Sequence, residues 1–296
     1  MNTMTKIDEV AAGGSRARIS TISAWGAARY LFLLPYLLIF FAFVVYPIAY
    51  GISLGSNPDT YADLFADPIF QIAAFNTVVF VLVAVNIKML LALLISGFFL
   101  NEQRWIKALG LIFILAWAVP SISTIFSIKW MLNPEWGMLN SFLFNQFQIM
   151  GPSWLTERWL AFGSAVVVHI WKYLPFWTLI LLAGRMTIPG ELYEAANVDG
   201  ASAWQRFRFI TFPSIGLLYV SATTLSMIWT LGDFNSIYLL TGGGPADRTQ
   251  VLATLGMRYL RMDRVDMAIA AVIVAMPFIV PMMWFMMKYL SKESRT

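Results

Sequence analysis

Four stretches without a single Asp, Glu, Lys or Arg dominate this chain of 296 residues. Twenty-nine residues separate Arg29 from Asp59, 21 separate Lys107 from Lys129, 24 separate Arg208 from Asp233, and 21 separate Asp266 from Lys288. A bilayer core of about 30 Å is crossed by about 20 apolar residues of α-helix, so each stretch is long enough. Two further stretches, Ala74–Phe99 and Leu160–Ala183, carry one lysine each, Lys88 and Lys172. The expectation is an all-α integral membrane protein with six transmembrane helices, at about 30–52, 74–99, 107–131, 160–184, 213–240 and 266–288. An open sheet cannot satisfy its backbone groups in lipid, and these runs are too continuous for barrel strands.

The composition agrees. Hydrophobic residues make up 59% of the chain and charged residues 12%, against about 25% charged in soluble domains. That is too little charge to coat a water-facing surface, which excludes an ordinary cytosolic enzyme. With no Cys and one His there is no disulfide framework and no ligand set for zinc or haem. The net charge of +4 fits basic residues at the inner ends of spans better than nucleic-acid binding. The first 24 residues are polar and small and read as a cytoplasmic tail, leaving 25–296 as one transmembrane domain. The first span exceeds a signal-peptide h-region and no small-residue cleavage site follows it, so it reads as retained. With the N-terminus inside, inner segments hold 12 of the 20 Lys and Arg, outer segments 5, and spans 3. The asymmetry places both termini in the cytoplasm.

Turn signals bound the spans. Ser56-Asn57-Pro58-Asp59, Leu132-Asn133-Pro134 and Thr241-Gly242-Gly243-Gly244-Pro245 each punctuate a span end. The inner loop 188–212, between spans four and five, carries the most information. Pro189 and Gly190 open a short helix, and Glu191 suits the positive end of its dipole. Ala195 and Ala196 form a small-residue face. Gly200 allows the chain to reverse, and Ser202 is placed to cap a second helix, Ala203–Thr211. Pro213 then opens span five. A helix–turn–helix of this size under a membrane bundle has no core of its own to fill and suits docking into a partner.

The string Glu194-Ala195-Ala196, with Asp199-Gly200-Ala201, Ile210 and Pro213 beyond, resembles the EAA loop of ABC-importer permeases. Phe212 stands where that family often has Leu. Tyr61–Thr77, with Leu64-Phe65-Ala66-Asp67-Pro68 and Asn76-Thr77, is similar to the family's first outer loop and second span. Leu240–Pro245 resembles an element of the maltose-transporter-type subunit that is usually missing from its paired second subunit. The resemblance implies a type I ABC-importer permease fold in the bacterial inner membrane. It implies a second homologous permease subunit, two ATP-binding cassette subunits inside, and a periplasmic or extracellular solute-binding protein. It implies that Glu191, Glu194, Ala195, Ala196, Asp199, Gly200 and Ala201 couple this chain to an ATPase. ATP and Mg then sit on the partner subunits, with no cofactor, metal or catalytic residue here. No G-x-x-x-x-G-K-[ST] string occurs in the sequence, so the motor belongs to another chain.

Polar groups inside a membrane are costly and each asks for a reason. His169, Lys172, Tyr173 and Phe176 share one face of span four, and Ser226, Trp229, Thr230 and Asp233 share one face of span five. Each face mixes aromatic rings with hydrogen-bonding groups, as a sugar requires. The same stripes also suit helix–helix packing. The resemblance places sugar contacts on both, and Asn235, Ser236 and Tyr238 extend the polar zone outward. Lys172 is placed to pair with Asp233, and Lys88 then lacks an acidic partner within the spans. Lys88 therefore joins the substrate-lining set. An anionic sugar such as a uronate or sulfonated sugar becomes a candidate substrate beside a neutral sugar or polyol.

Two other classes compete. An ion-coupled secondary transporter usually shows internal repeats and broken helices in a longer chain, and no acidic proton relay is visible here. An intramembrane enzyme needs a nucleophile–base pair or a metal site, and His169 is the only imidazole.

Overall fold

A computed structural model describes residues 32–101 and 103–293. The expected tail, 1–24, lies outside the described residues. The chain divides into two compact units, Met1–Ser56 and Asn57–Thr296. In the first, α1 (Phe32–Leu54) is a 23-residue apolar helix. Its turn Phe41–Val45 widens to π pitch just before Pro47, because a proline has no N–H to return to the preceding turn.

The second unit begins with α2 (Pro58–Ala66) and α3 (Pro68–Phe98). Both start on an Asx-Pro pair. The Asn57 side chain accepts from the Asp59 N–H at 3.0 Å, and Asp67 accepts from the Ile69 N–H at 2.8 Å. Each satisfies an orphan donor of the first turn, while proline at the start has none to lose. The Asp67 cap starts span two several residues before the expected 74.

The expected span 107–131 is not one rod. Helix α4 (Arg104–Ala118) and α5 (Ser121–Met131) meet at 96°. Pro120 is the cause: it pushes Val119 to an extended ψ of 139° and stops the helix there. After α6 (Met138–Phe147) comes α7 (Arg158–Met186), which carries span four.

Beyond α8 (Gly190–Val198), Ser202 caps α9 (Ala203–Arg206) in a reciprocal box with Gln205. The expected second helix does not stop at Thr211. It passes through a π turn, Phe207–Thr211, again just before a proline, and continues as α10 (Phe212–Leu231). Helix α11 (Asn235–Thr241) follows a short break, and Gly242 ends it at φ 64°. Then come α12 (Leu252–Arg261) and α13 (Val265–Glu293). Among the described residues, Pro68–Phe98, Arg158–Met186 and the run Ala203–Thr241 are each long and apolar enough to cross a membrane, as is α1. The α4–α5 pair adds a bent candidate. The last expected span falls on α13, which carries no Asp, Glu, Lys or Arg between Asp266 and Lys288.

Helices α3, α7 and α10 pack around Val85, Met89, Leu93, Trp177, Leu181 and Ile215. Small residues line the seams, with Ala84, Ala92, Ala161 and Ala165 fully buried. Lipid offers no hydrophobic drive between helices, so close backbone approach supplies the packing energy.

At the end of the bundle where α3 begins, two motifs from the sequence meet. Asn76 Nδ2 donates to the carbonyls of Arg248 and Gln250, both at 2.9 Å, and Thr77 Oγ1 accepts from the Leu252 N–H at 2.8 Å. The loop after α11 is thereby fastened to α3. Arg258 bridges Asp247 (2.9 Å) and Asp67 (3.3 Å), and the Tyr259 hydroxyl donates to Asp67 at 2.7 Å. Burial works against the Asp247 charge, but hydrogen bonds from Gln250 and Arg258 outweigh it and hold the carboxyl below its usual range. A depressed carboxyl pKa stabilises the fold above the unfolded value, about 3.9, and that contribution is lost as pH falls through the folded value. Acid-titrated melting of the D247N variant will therefore show a shallower loss of stability below about pH 4 than the parent. Parallel curves would remove Asp247 from the network.

Candidate functional site

Span five breaks where α10 ends. The Gly232 N–H returns to the Ile228 carbonyl at 3.3 Å, and residues 232–234 leave the helix before α11 resumes. The break turns Asp233 into the interior, where it is 7% exposed. A cavity of about 420 Å³ opens beside it. His169 and Tyr173 of α7 form one wall, and Ile228, Trp229, Gly232, Asp233, Phe234 and Asn235 the other.

Behind this wall runs a buried polar chain. His169 Nδ1 lies 2.6 Å from Asp233 Oδ2, and His169 Nε2 lies 2.9 Å from Lys88 Nζ. Thr230 Oγ1 is 3.1 Å from His169 Nε2 and 3.3 Å from Lys88 Nζ. The Ser236 N–H donates to Asp233 Oδ1 at 3.3 Å. Lys88 is 1% exposed and His169 2%. The Lys88 ammonium position lies 5.7 Å from the Tyr173 ring centre and 5.9 Å from that of Trp177, within reach of their faces. One residue from each of three helix systems, α3, α7 and the α10–α11 break, thus meets in a single line.

The two sequence stripes are divided by this geometry. His169, Tyr173, Trp229 and Asp233 border the cavity. Lys88 and Thr230 stand behind them as hydrogen-bond partners. Phe176 stacks on Trp229 at 5.2 Å and on Trp117 at 5.4 Å, extending an aromatic wall. Ser226 is wholly buried one turn from Thr230, and its carbonyl accepts from the Thr230 hydroxyl at 2.7 Å.

Two lysine readings need correction. Lys172 does not pair with Asp233. Its Nζ donates to the carbonyls of Ala116 (3.0 Å), Trp117 (3.2 Å) and Val119. These are the open carbonyls at the end of α4, left without helical donors by the break at Pro120. Nor is Lys88 without an acidic partner, since it reaches Asp233 through His169. Phe234, which sequence reasoning missed, borders the cavity because the Gly232 break releases it from the helix. Gly-Asp at that point in an apolar run was the available signal.

At the end of the bundle that carries α8, the loop folds much as expected. None of the nine residues of Gly190–Val198 is buried. Glu191 lies in the first turn, and Glu194, Ala195 and Asp199 are exposed while Ala196 and Ala201 are half-buried. Gly200 takes φ 76°, with no atom within 4 Å of where a side chain would start. The turn therefore needs glycine for its backbone, not for space. Arg206 donates to Asn197, and the Tyr193 hydroxyl meets that of Thr211 at 2.8 Å, locking α8 onto the start of span five. Arg185 donates to the Leu93 carbonyl at 2.7 Å and lies 5.9 Å from the Phe207 ring centre. That side chain joins the ends of spans two and four to the π turn below α10.

Comparison with known proteins is consistent with this arrangement. A family model described as the binding-protein-dependent transport system inner membrane component matches residues 88–294. The trehalose/maltose transport system permease protein of Thermococcus litoralis is 34% identical over 269 residues, covering 84% of this chain and 88% of that one. The sulfoquinovosyl glycerol transport system permease protein of Agrobacterium fabrum is 33% identical over 239 residues, covering 75% and 77%. A crystal structure of a bacterial alginate ABC transporter, in complex with an alginate pentasaccharide-bound periplasmic protein, contains a chain of the same fold. Its TM-score is 0.79 at 24% identity, over 88% of this chain and 92% of that one. Family match and relatives together extend over most of the sequence, and the chain belongs to the binding-protein-dependent transport system inner membrane components, the permeases of ABC transporters.

Proposed function

We propose that this chain is one of two membrane subunits of an ATP-driven importer that moves a sugar into the cytoplasm by alternating access. The observation that carries the reading is the pairing of an exposed, rigidly braced helix at one end of the bundle with a buried polar–aromatic cavity inside it. Helix α8 leaves Glu191, Glu194 and Ala195 exposed and is held by Arg206, Tyr193 and the Gly200 turn, so force on it is transmitted to α10 and not lost in a loose loop. The relatives named for trehalose, maltose and sulfoquinovosyl glycerol transport support sugars as the substrate class.

In this reading α8 and both termini face the cytoplasm, following the distribution of Lys and Arg. Each of two ATPase subunits, which hold ATP and Mg, grips the coupling helix of one permease subunit. Closure of the ATPase dimer draws the coupling helices together. Span five, continuous with α9 through the π turn, tips with them, and Arg185 carries the same movement to spans two and four. The cavity beside Asp233 then opens to the outside, where a solute-binding protein delivers the sugar. The linkage is a coupling energy between the nucleotide and sugar sites, so sugar delivery must in turn affect nucleotide turnover.

The test is purification of the tagged chain from its own host membranes. The expected result is co-isolation of a second permease and an ATPase, with hydrolysis stimulated by sugar-loaded binding protein in proteoliposomes. Sugar uptake by the isolated chain without any ATPase would refute the proposal.

A further inference from the structure

The contact between Lys88 and His169 constrains charge as well as position. Two nitrogens 2.9 Å apart share one hydrogen, so one of them must offer a lone pair. An ammonium beside an imidazolium offers none. Lys88 and His169 therefore cannot both be protonated in this structure. On the far side of the ring, Nδ1 lies 2.6 Å from Asp233 Oδ2, the short spacing of a charge-assisted hydrogen bond from ring N–H to carboxylate. Of the arrangements that satisfy both contacts, two also spare the apolar interior an uncompensated charge: ammonium, imidazole and carboxylate, or amine, imidazolium and carboxylate.

Among the described residues, no other ionic group bonds to this chain of three side chains. Lys172 is turned onto the α4 carbonyls, and Tyr173 offers Lys88 only its ring face. The members of the chain are also unequally placed. Asp233 and His169 border the cavity, whereas Lys88 does not reach it. Asp233 is bonded on one oxygen by His169 and on the other by the Ser236 N–H, and a carboxylate has about four lone-pair sites. Acceptor capacity is left facing the cavity, between the rings of Tyr173, Trp229 and Phe234.

We propose that Lys88 is the internal counter-charge of Asp233, relayed through His169, and that the cavity takes a sugar carrying no negative charge. Sugar hydroxyls donate to the carboxylate while the aromatic rings cover the C–H faces. A uronate or sulfonated sugar brings its anion against Asp233, and the cation that would receive it is spent behind His169. This assignment rests on the reading of the chain as a sugar permease and narrows its substrate class.

A double-variant cycle tests it without knowledge of the sugar. The complete transporter is purified in detergent with K88M, with D233N, and with both. Removing one partner of a buried, balanced pair is costly, so each single variant is expected to melt about 5 °C or more below the parent. The double variant is uncharged and balanced again, and is expected to regain most of that loss. A Lys88 held for an anionic substrate predicts the opposite: K88M melts at or above the parent, and the double variant is no better than D233N. A second arm reconstitutes the parent complex with its binding protein and offers maltose or galacturonate. Hydrolysis stimulated by galacturonate overturns the proposal. Co-purification of the ATPase with every variant keeps this test apart from the permease reading, which fails only if the parent itself binds no ATPase.

Discussion

Replacing Lys172 with Met is expected to lower the melting temperature of the purified transporter by about 10 °C, while Lys172→Arg retains most of the stability. Lys172 is 2% exposed and its ammonium serves three carbonyls at the end of α4. Hydrogen bonds to a charged donor contribute about 1.5–3 kcal/mol each, and a buried carbonyl left bare costs about 1–3 kcal/mol. Met fills a similar volume but donates nothing, so a net loss of about 3–5 kcal/mol follows for a corner with three open acceptors in an apolar setting. The contrast with a substrate ligand is measurable. A residue that only contacts sugar leaves the melting temperature unchanged when replaced and lowers uptake alone. A K172M transporter that melts with the parent but has lost uptake would return Lys172 to the substrate wall.

Replacing Ala195 with Trp is expected to abolish coupling without harming the fold. Ala195 is exposed, and α8 buries no residue within the chain. A large ring there meets only solvent in the isolated subunit, so the melting temperature and membrane level should match the parent. Against a docked partner the same ring occupies the contact that a small residue leaves free. ATPase recovered with the tagged chain should fall at least tenfold, which a loss of about 1.4 kcal/mol already produces, and uptake should fall with it. Normal ATPase recovery would show that the partner docks elsewhere. A fall in melting temperature would show that α8 packs within the chain.

How much of this was legible beforehand depended on the range over which each feature acts. The spans were visible because uncharged length is a local property that lipid selects. So were the turn at Ser56-Asn57-Pro58-Asp59, the Ser202 cap, the Gly200 reversal and the Gly242 stop, each dictated by a few neighbouring residues. The break at Pro120 was local too, but the uncharged run across it read as one span, because hydropathy does not register the missing N–H of a proline. The break at Gly232 was hidden in the same way. Neither the Lys172 partners, 53 to 56 residues away, nor the His169–Asp233 contact, 64 residues apart, leaves any trace in spacing. The Arg258–Asp67 bridge joins residues 191 apart.

The amino-acid order alone determined that this chain lives in a membrane as a helical bundle, and that it offers a small capped elbow between spans four and five. Apolar length, proline, glycine and capping side chains settle those points within a few residues. Only the folded arrangement decided which buried charges face one another. Lys172 and Lys88 look alike in the sequence, each a lone cation in an apolar helix. One closes the end of a broken helix and the other balances an aspartate through a histidine. A buried charge must find its partner in three dimensions, because the lipid around it offers none.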